Sequence, residues 1–212
     1  METSTAAALT VNGGGGLVGK KIGVLVEADY AEYEIFYYQR RFLEEGAEVH
    51  LLSRLWGNER LTFNGHEWRV PLEVSESFEG MDDETLRGYA AIIVPGGMVA
   101  DRLRWTDDID KLPPATEFLQ RAFAEKSIIK GINCHGLWLV APAPELVSGR
   151  KVVANNNLLG DVRNMGATYV DEDVVVDDDL VTGRSAGLCH VFARKIIDML
   201  SEPAQPTPQP QG

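Results

Sequence analysis

The sequence has few cysteines and no long apolar run. Only two of its 212 residues are cysteine, Cys134 and Cys189, and they do not form a Cys-x-x-Cys spacing. This argues against a zinc site, another metal centre or a disulfide framework, and favours reduced thiols. No apolar stretch reaches the roughly 18 residues of a membrane-spanning helix, and the first residues lack the pattern of a signal peptide. We therefore expect a cytoplasmic protein.

The chain also lacks an excess of basic residues. Its 20 lysines and arginines are outnumbered by 32 aspartates and glutamates, which gives a net charge of −12 at pH 7. A charge of this sign disfavours nucleic acid and anionic membranes as partners, because both are themselves negative. A small-molecule substrate fits the composition better.

Both ends of the chain are poor in residues that build a core. Residues 1–19 include four consecutive glycines, and residues 202–212 consist mainly of proline and glutamine. Such compositions predict disordered tails. The remaining residues, 20–201, have the length and the apolar content of a single domain.

Predicted strands and helices alternate along this domain. We predict strands at 21–27, 47–52, 89–94, 127–130 and 151–154, and helices at 32–45, 82–87, 113–126, 158–165 and 186–200. This alternation is typical of an α/β sandwich with a mostly parallel central sheet, whose functional sites lie at the carboxyl ends of strands. Asn64-Gly65 between 61–63 and 66–70 predicts a small β-hairpin excursion, and 174–182 predicts a second hairpin.

Cys134 stands where a buried strand is expected to turn into a helix. At such a turn the side chain is exposed, and the N–H groups and dipole of the helix favour the thiolate. His135 adds a titratable group, and Gly136 leaves room for a substrate. The arrangement corresponds to the nucleophile elbow of hydrolases. The alternative is a buried structural cysteine, since free cysteine is often buried.

Four landmarks in order carry a resemblance to a known family. They are Glu34 within 29–34, Pro95-Gly96-Gly97, the segment 101–104, and Cys134-His135-Gly136. Over about residues 21–200 the chain resembles the ThiJ/PfpI family of the class I glutamine amidotransferase-like superfamily. The resemblance implies a flavodoxin-like three-layer sandwich, a homodimer or larger homo-oligomer, a cysteine nucleophile and no cofactor.

The resemblance also implies roles for individual residues. Cys134 would be the nucleophile, Glu34 the carboxyl group beside its sulfur, and His135 the partner acid and base. The backbone N–H groups of Gly97 and His135 would form the oxyanion hole. Asp101 would lend its carboxylate to the histidine of a neighbouring subunit. The alternatives are a solvated carboxylate at a helix start for Glu34 and a surface charge for Asp101.

The chain departs from the family pattern at two places. Leu137-Trp138 follow the Cys-His-Gly motif where members often carry Pro-Gln or Pro-x, and Trp138 is either core packing or an aromatic wall of the substrate pocket. His190 falls near the position of the catalytic histidine of glutamine amidotransferases, but Phe192 replaces their glutamate. A glutaminase role is therefore disfavoured, and we expect Cys189 and His190 to pack or to face solvent.

Three functional hypotheses follow for Cys134. In the first, its thiolate adds to an electrophilic carbon of a small substrate, a carbonyl, amide or related C–N group, leading to hydrolysis or hydration. In the second, a redox-sensing stress protein carries Cys134 as a sulfinic acid held by Glu34. In the third, the chain is a non-catalytic binding protein.

Overall fold

A computed structural model describes residues 15–201. Its strands are β1 (Lys21–Leu25), β2 (Glu48–Ser53), β3 (Leu61–Asn64), β4 (Pro71–Val74), β5 (Glu76–Ser77), β6 (Tyr89–Val94), β7 (Ile129–Asn133), β8 (Lys151–Val152), β9 (Thr168–Tyr169), β10 (Val174–Asp177) and β11 (Leu180–Gly183). Its α-helices are α1 (Glu32–Glu44), α2 (Asp83–Arg87), α3 (Val99–Leu103), α4 (Pro114–Ala124), α5 (Leu159–Asn164) and α6 (Cys189–Ser201). Short 3-10 helices lie at Cys134–Val140, Pro144–Leu146, Asn156–Leu158 and Ala186–Leu188. Within the same residues no helix is both long enough and apolar enough to cross a membrane.

The central sheet has seven strands in the order β10-β11-β7-β6-β1-β2-β5. Every pair in it is parallel except β10 with β11, the predicted second hairpin. Right-handed crossovers place α1 and α4 on opposite faces of the sheet, because β1–α1–β2 and β6–α4–β7 run in opposite directions across it. Helix α6 packs beside α1. The predicted α/β sandwich with a mostly parallel sheet is confirmed.

Tight packing fixes strand β7, which leads into Cys134. Gly131 lies in the middle of this strand, and a Cβ atom added there would come within 2.8 Å of Ile196 and 2.9 Å of Phe192 on α6. The helix therefore lies directly on the strand. All five residues of β7 are buried, as expected of a parallel strand covered on both faces.

The domain extends further towards the N-terminus than the sequence indicates. Leu17 is fully buried, and its N–H donates to the Glu45 carbonyl at 2.9 Å. The prediction of a disordered tail is therefore wrong for residues 15–19, since one apolar side chain in a glycine-rich stretch anchors them to the end of α1. The rest of the two predicted tails, residues 1–14 and 202–212, lies outside the described residues.

The hairpin excursion is present, but its second strand lies further along the chain than predicted. Strand β3 pairs with β4, and residues 66–70 form the connection instead of a strand. The cause is the buried carboxylate of Glu32, which accepts hydrogen bonds from the N–H groups of Glu67 and Val70 at 2.6 and 2.9 Å. These bonds take the donors that a β-ladder would use. Asn64-Gly65 is consequently not a two-residue turn.

Candidate active site

Cys134 occupies a sharp turn at the carboxyl end of β7. Its φ of +56° lies in the left-handed region, which costs energy for a residue with a side chain. Gly136 makes the turn possible, because a Cβ there would lie 2.7 Å from the Val94 carbonyl oxygen at the end of β6. The structure thus has the strand-to-helix turn that the sequence predicts, although the helix is a 3-10 helix that ends before Pro142.

The thiol of Cys134 is buried, with 6% of the residue exposed. Burial raises the pKa of this thiol, and the negative charge of Glu34 also raises it. The backbone N–H of Ala186 and the amide of Asn155, which lies 3.6 Å from Sγ, lower the pKa. The expectation of a thiolate-favouring site is therefore wrong in direction. The sequence argument counted the helix dipole and left out the desolvation of the sulfur. Burial therefore favours the thiol over the thiolate.

His135 lies between the sulfur and a second polar side chain. Its Nδ1 is 3.1 Å from Cys134 Sγ, and its Nε2 is 3.0 Å from Nδ2 of Asn157. The ring packs edge-on against Trp138 with centroids 4.9 Å apart. Burial lowers the pKa of His135, so the ring is neutral near pH 7. A neutral imidazole next to a thiol can accept its proton.

Asn157 sets which nitrogen of His135 carries the proton. With the amide nitrogen towards Nε2, the ring proton lies on Nδ1 and is donated to the sulfur. With the amide oxygen there instead, Nε2–H donates to Asn157 and Nδ1 is left to accept the thiol proton. The second orientation is the one that general-base chemistry needs.

Glu34 is fully buried at the start of α1, so the alternative of a solvated carboxylate is wrong. Its Oε1 accepts from the Tyr38 hydroxyl at 2.6 Å and from Asn133 Nδ2 at 2.8 Å, and its Oε2 accepts from the Gly96 N–H at 3.0 Å. Burial raises the pKa of Glu34 to about 7. These bonds tie together the residues that precede Gly97 and Cys134.

The predicted contact between Glu34 and the sulfur is not among the hydrogen bonds of residues 15–201. There, Cys134 Sγ pairs with His135 and Asn155. A Cβ on Gly96 would lie 3.0 Å from both Glu34 Oε2 and Cys134 Cβ, so Gly96 is wedged between them. In the structure Glu34 therefore positions the backbone around the thiol.

The predicted oxyanion hole consists of the backbone N–H groups of Gly97 and His135. The His135 N–H is near enough to the sulfur to lower the pKa of Cys134. Gly97 has a φ of +70°, and within residues 15–201 its N–H donates no hydrogen bond. Its role in holding a substrate oxygen stays a prediction.

Asp101 is exposed on α3 and makes no hydrogen bond or ion pair with His135 of its own chain. Its predicted role towards a neighbouring subunit stays a prediction.

Cys189 is buried at the start of α6, where burial raises its pKa to about 11, and His190 is exposed. Cys189 therefore packs in the interior and His190 faces solvent, as expected. Within 15–201 no group of three or more His, Cys, Asp or Glu side chains could hold a metal ion.

Comparison with known families is decisive for the identity of the domain. A model of the DJ-1/PfpI family matches residues 20–199. The chain belongs to the DJ-1/PfpI family. The chain is 29% identical to General stress protein 18 of Bacillus subtilis over 186 residues, which are 87% of this chain and 100% of that protein. It is also 29% identical to Protein/nucleic acid deglycase 2 of Escherichia coli over 184 residues, 86% of this chain and 99% of that one.

Solved structures agree with this DJ-1/PfpI fold. The ThiJ/PfpI domain protein of Brachyspira murdochii superposes with a TM-score of 0.71 at 19% identity, covering 86% of this chain and 96% of that one. DJ-1beta of Drosophila melanogaster gives 0.71 at 19% identity, covering 87% and 91%. At such identities the likeness shows the fold alone, and it confirms the flavodoxin-like sandwich.

Sequence reasoning missed several residues of this DJ-1/PfpI site. Asn155 and Asn157 contact the sulfur and the histidine, yet they belong to a run of three asparagines that looks like an ordinary loop. Their position just after β8, at a carboxyl strand end, was the available signal. Tyr38 follows Glu34 by four residues, a spacing that puts both on one face of α1.

Proposed function

We propose that this DJ-1/PfpI chain is a cysteine-dependent enzyme that needs no cofactor. Its Cys134 sulfur adds to an electrophilic carbon of a small substrate, a carbonyl, amide or related C–N group, and the adduct is hydrolysed. The observation that carries the proposal is the 3.1 Å contact between Cys134 Sγ and His135 Nδ1 at a strained, buried turn. The relatives named deglycases support a C–N adduct as the substrate class.

The first step joins sulfur to carbon. The neutral His135 accepts the thiol proton at Nδ1 as the Sγ–C bond forms, and the π electrons of the C=O bond move to the oxygen. The N–H groups of Gly97 and His135 donate to this oxyanion. Because the thiol pKa is raised, proton transfer accompanies the attack instead of preceding it.

The second step returns the enzyme to its resting state. For an amide, the protonated His135 donates to the leaving nitrogen as the C–N bond breaks and the C=O bond re-forms, which leaves a thioester on Cys134. A water molecule then attacks the same carbon and gives its proton to His135. The Sγ–C bond breaks, the sulfur regains its proton, and one water has been consumed. In a homo-oligomer, a neighbour's Asp101 would stabilise the protonated His135.

A redox-sensing role is the second candidate, because one relative carries the name General stress protein. Oxidation to a sulfinic acid begins from the thiolate. Burial raises the pKa of Cys134, which slows that route. The arrangement with His135 therefore supports the enzyme better than the sensor.

Turnover of a substrate panel tests the enzyme directly. The panel contains simple amides, adducts of amines with α-oxoaldehydes, and the free aldehydes. We expect at least one to be consumed by the unaltered chain and by Cys189→Ala, and none by Cys134→Ala. The two cysteines are almost equally buried, at 6% and 7% exposure, so Cys189→Ala controls for the loss of a buried thiol. Turnover that survives in Cys134→Ala would refute the proposal.

A further inference from the structure

Arg184 lies where two segments that contact the candidate site come together. The residue directly follows β11, and its side chain reaches the asparagine run 155–157 beyond β8. Only 20% of this side chain is exposed. A long charged side chain is seldom held so far from water unless its hydrogen bonds fix it in one place.

The side chain of Asn156 is fixed by two donors. Its Oδ1 accepts from Arg184 Nη1 at 2.9 Å and from the Tyr169 hydroxyl at 3.1 Å. The same Nη1 donates to that hydroxyl at 2.8 Å, so the three side chains form a closed triangle of hydrogen bonds. Because one donor is charged, its bonds are stronger than those between neutral groups. The triangle therefore anchors the middle of an exposed loop.

The residues on either side of Asn156 contact the reacting pair. Asn155 Nδ2 is 3.6 Å from Cys134 Sγ, and Asn157 Nδ2 is 3.0 Å from His135 Nε2. The Asn157 N–H also donates to Asn155 Oδ1 at 3.3 Å, which couples the two side chains. A hydrogen bond of this length does not survive a shift of about 1 Å. An anchored Asn156 thus keeps both neighbours in reach of the site.

The backbone around Arg184 forms a second wall of the site. Two residues further on, the N–H of Ala186 lies close enough to the sulfur to lower the pKa of Cys134. The Arg184 N–H donates to the Asp173 carbonyl at 2.9 Å, and Nη2 donates to the Glu172 carbonyl at 2.8 Å. One residue therefore ties together the two segments that touch the thiol.

The guanidinium itself is not free to bind a substrate. The two hydrogens of Nη1 are taken by Asn156 and Tyr169, and those of Nη2 by Glu172 and by the Asp171 carboxylate at 2.6 Å. The Asp171 side chain is 88% exposed, so this ion pair adds little to stability. Arg184 can therefore act on the reaction only through the asparagine loop and its own backbone.

We propose that Arg184 is a positioning residue of the site and that, together with Tyr169, it holds Asn157 against His135. The inference rests on the proposed function, in which His135 accepts the thiol proton. Without the triangle of hydrogen bonds, Asn156 turns towards solvent and the contact at His135 Nε2 is made for less of the time. The ring is then less often oriented to accept the proton.

A double-mutant cycle on the alkylation of Cys134 tests this role without a substrate. Timed exposure to iodoacetamide at about pH 7, followed by peptide mapping, gives the rates for the unaltered chain, Arg184→Met, Asn157→Leu and the double variant. We expect Arg184→Met to slow alkylation at least about threefold, and to have no further effect in the Asn157→Leu background. Arg163→Met, which removes an exposed arginine of α5, is the control for charge and should leave the rate unchanged.

The direction of the change separates positioning from a merely structural role. A loosened fold would expose the buried thiol and speed its alkylation, whereas a misplaced histidine slows it. Tyr169→Phe removes one hydroxyl from the triangle and should slow alkylation in the same direction; it is the second variant if Arg184→Met misfolds. With any substrate that is turned over, kcat should fall in both variants with KM little changed.

Three outcomes would overturn the proposal. They are alkylation that is unchanged or faster in both Arg184→Met and Tyr169→Phe, effects of Arg184→Met and Asn157→Leu that multiply in full, and a rise in KM in place of the fall in kcat. Any of these with turnover intact removes the positioning role alone. The expected cycle without turnover of any substrate would remove the enzyme alone, so the two failures are distinguishable.

Discussion

The buried carboxyl of Glu34 should make the stability of the protein fall as pH rises. Burial raises the pKa of Glu34 to about 7, from a usual value of 4.5. Between these pH values the folded chain keeps a proton that the unfolded chain has lost. The contribution is therefore fully present below about pH 4.5 and is lost as pH rises to about 7. This difference in pKa corresponds to about 3 kcal/mol.

Glu34→Gln isolates this contribution. Glutamine has nearly the same shape and does not titrate. Its amide meets the donors of Tyr38, Asn133 and Gly96, which now bond to the carboxyl oxygens. One N–H of the amide then faces another donor, which costs about 1–3 kcal/mol at every pH. The constant cost and the pH-dependent contribution can thus be separated.

Urea unfolding of both proteins from about pH 4.5 to about pH 8 measures the difference in free energy of unfolding. The advantage of the unaltered chain over Glu34→Gln should shrink by about 3 kcal/mol across this range, most steeply between about pH 5 and pH 7. Glu84→Gln, at an exposed site, should show no such trend. A difference that stays constant or grows with pH would refute the assignment of a buried, proton-holding Glu34.

Two further substitutions test the surroundings of the site. Asn157→Leu removes the partner of His135 Nε2, and kcat should fall about tenfold or more with KM little changed. Asn157→Asp should retain more activity than Asn157→Leu because its carboxylate holds the proton on Nε2. Steady-state kinetics that give Asn157→Leu the same kcat as the unaltered chain would contradict this. Gly65→Ala places a Cβ 2.1 Å from the Glu32 carboxyl carbon and should destabilise the fold by about 1–3 kcal/mol, measured as a lower urea midpoint. Gly160→Ala, which has open space around it, is the control, and equal losses at both glycines would count against the packing argument.

The order of the elements could be predicted because their signals are local. Buried parallel strands such as β6 are continuous apolar runs, and glycine or proline marks their ends. The second strand of the excursion could not be placed. Its position depends on Glu32, a residue 35 positions away from the Glu67 N–H that it binds. Composition likewise gave no sign that Leu17 packs against the end of α1.

The candidate site, too, could be predicted from the sequence only in part. Cys134 and His135 are adjacent in sequence, so their pairing could be predicted from the turn alone. The direction in which the pKa of the thiol moves could not, because it depends on how much of the fold covers the sulfur. Asn157 comes to His135 across a loop, and only the folded chain brings them together.

The central claim is that Cys134 is an activated nucleophile, and the rate of alkylation at each cysteine tests it most directly. The two cysteine residues are almost equally buried, at 6% and 7% exposure, so the exposed fraction of the residues does not account for a difference in rate. Peptide mapping after timed exposure to iodoacetamide, across about pH 6 to pH 9, gives both rates in one sample. Cys134 should react at least about tenfold faster than Cys189, whose pKa burial raises to about 11 and which lacks a histidine partner among the described residues. Replacement of His135 by alanine should slow the alkylation of Cys134 and leave that of Cys189 unchanged. Equal rates at the two cysteines in the unaltered chain would contradict the account.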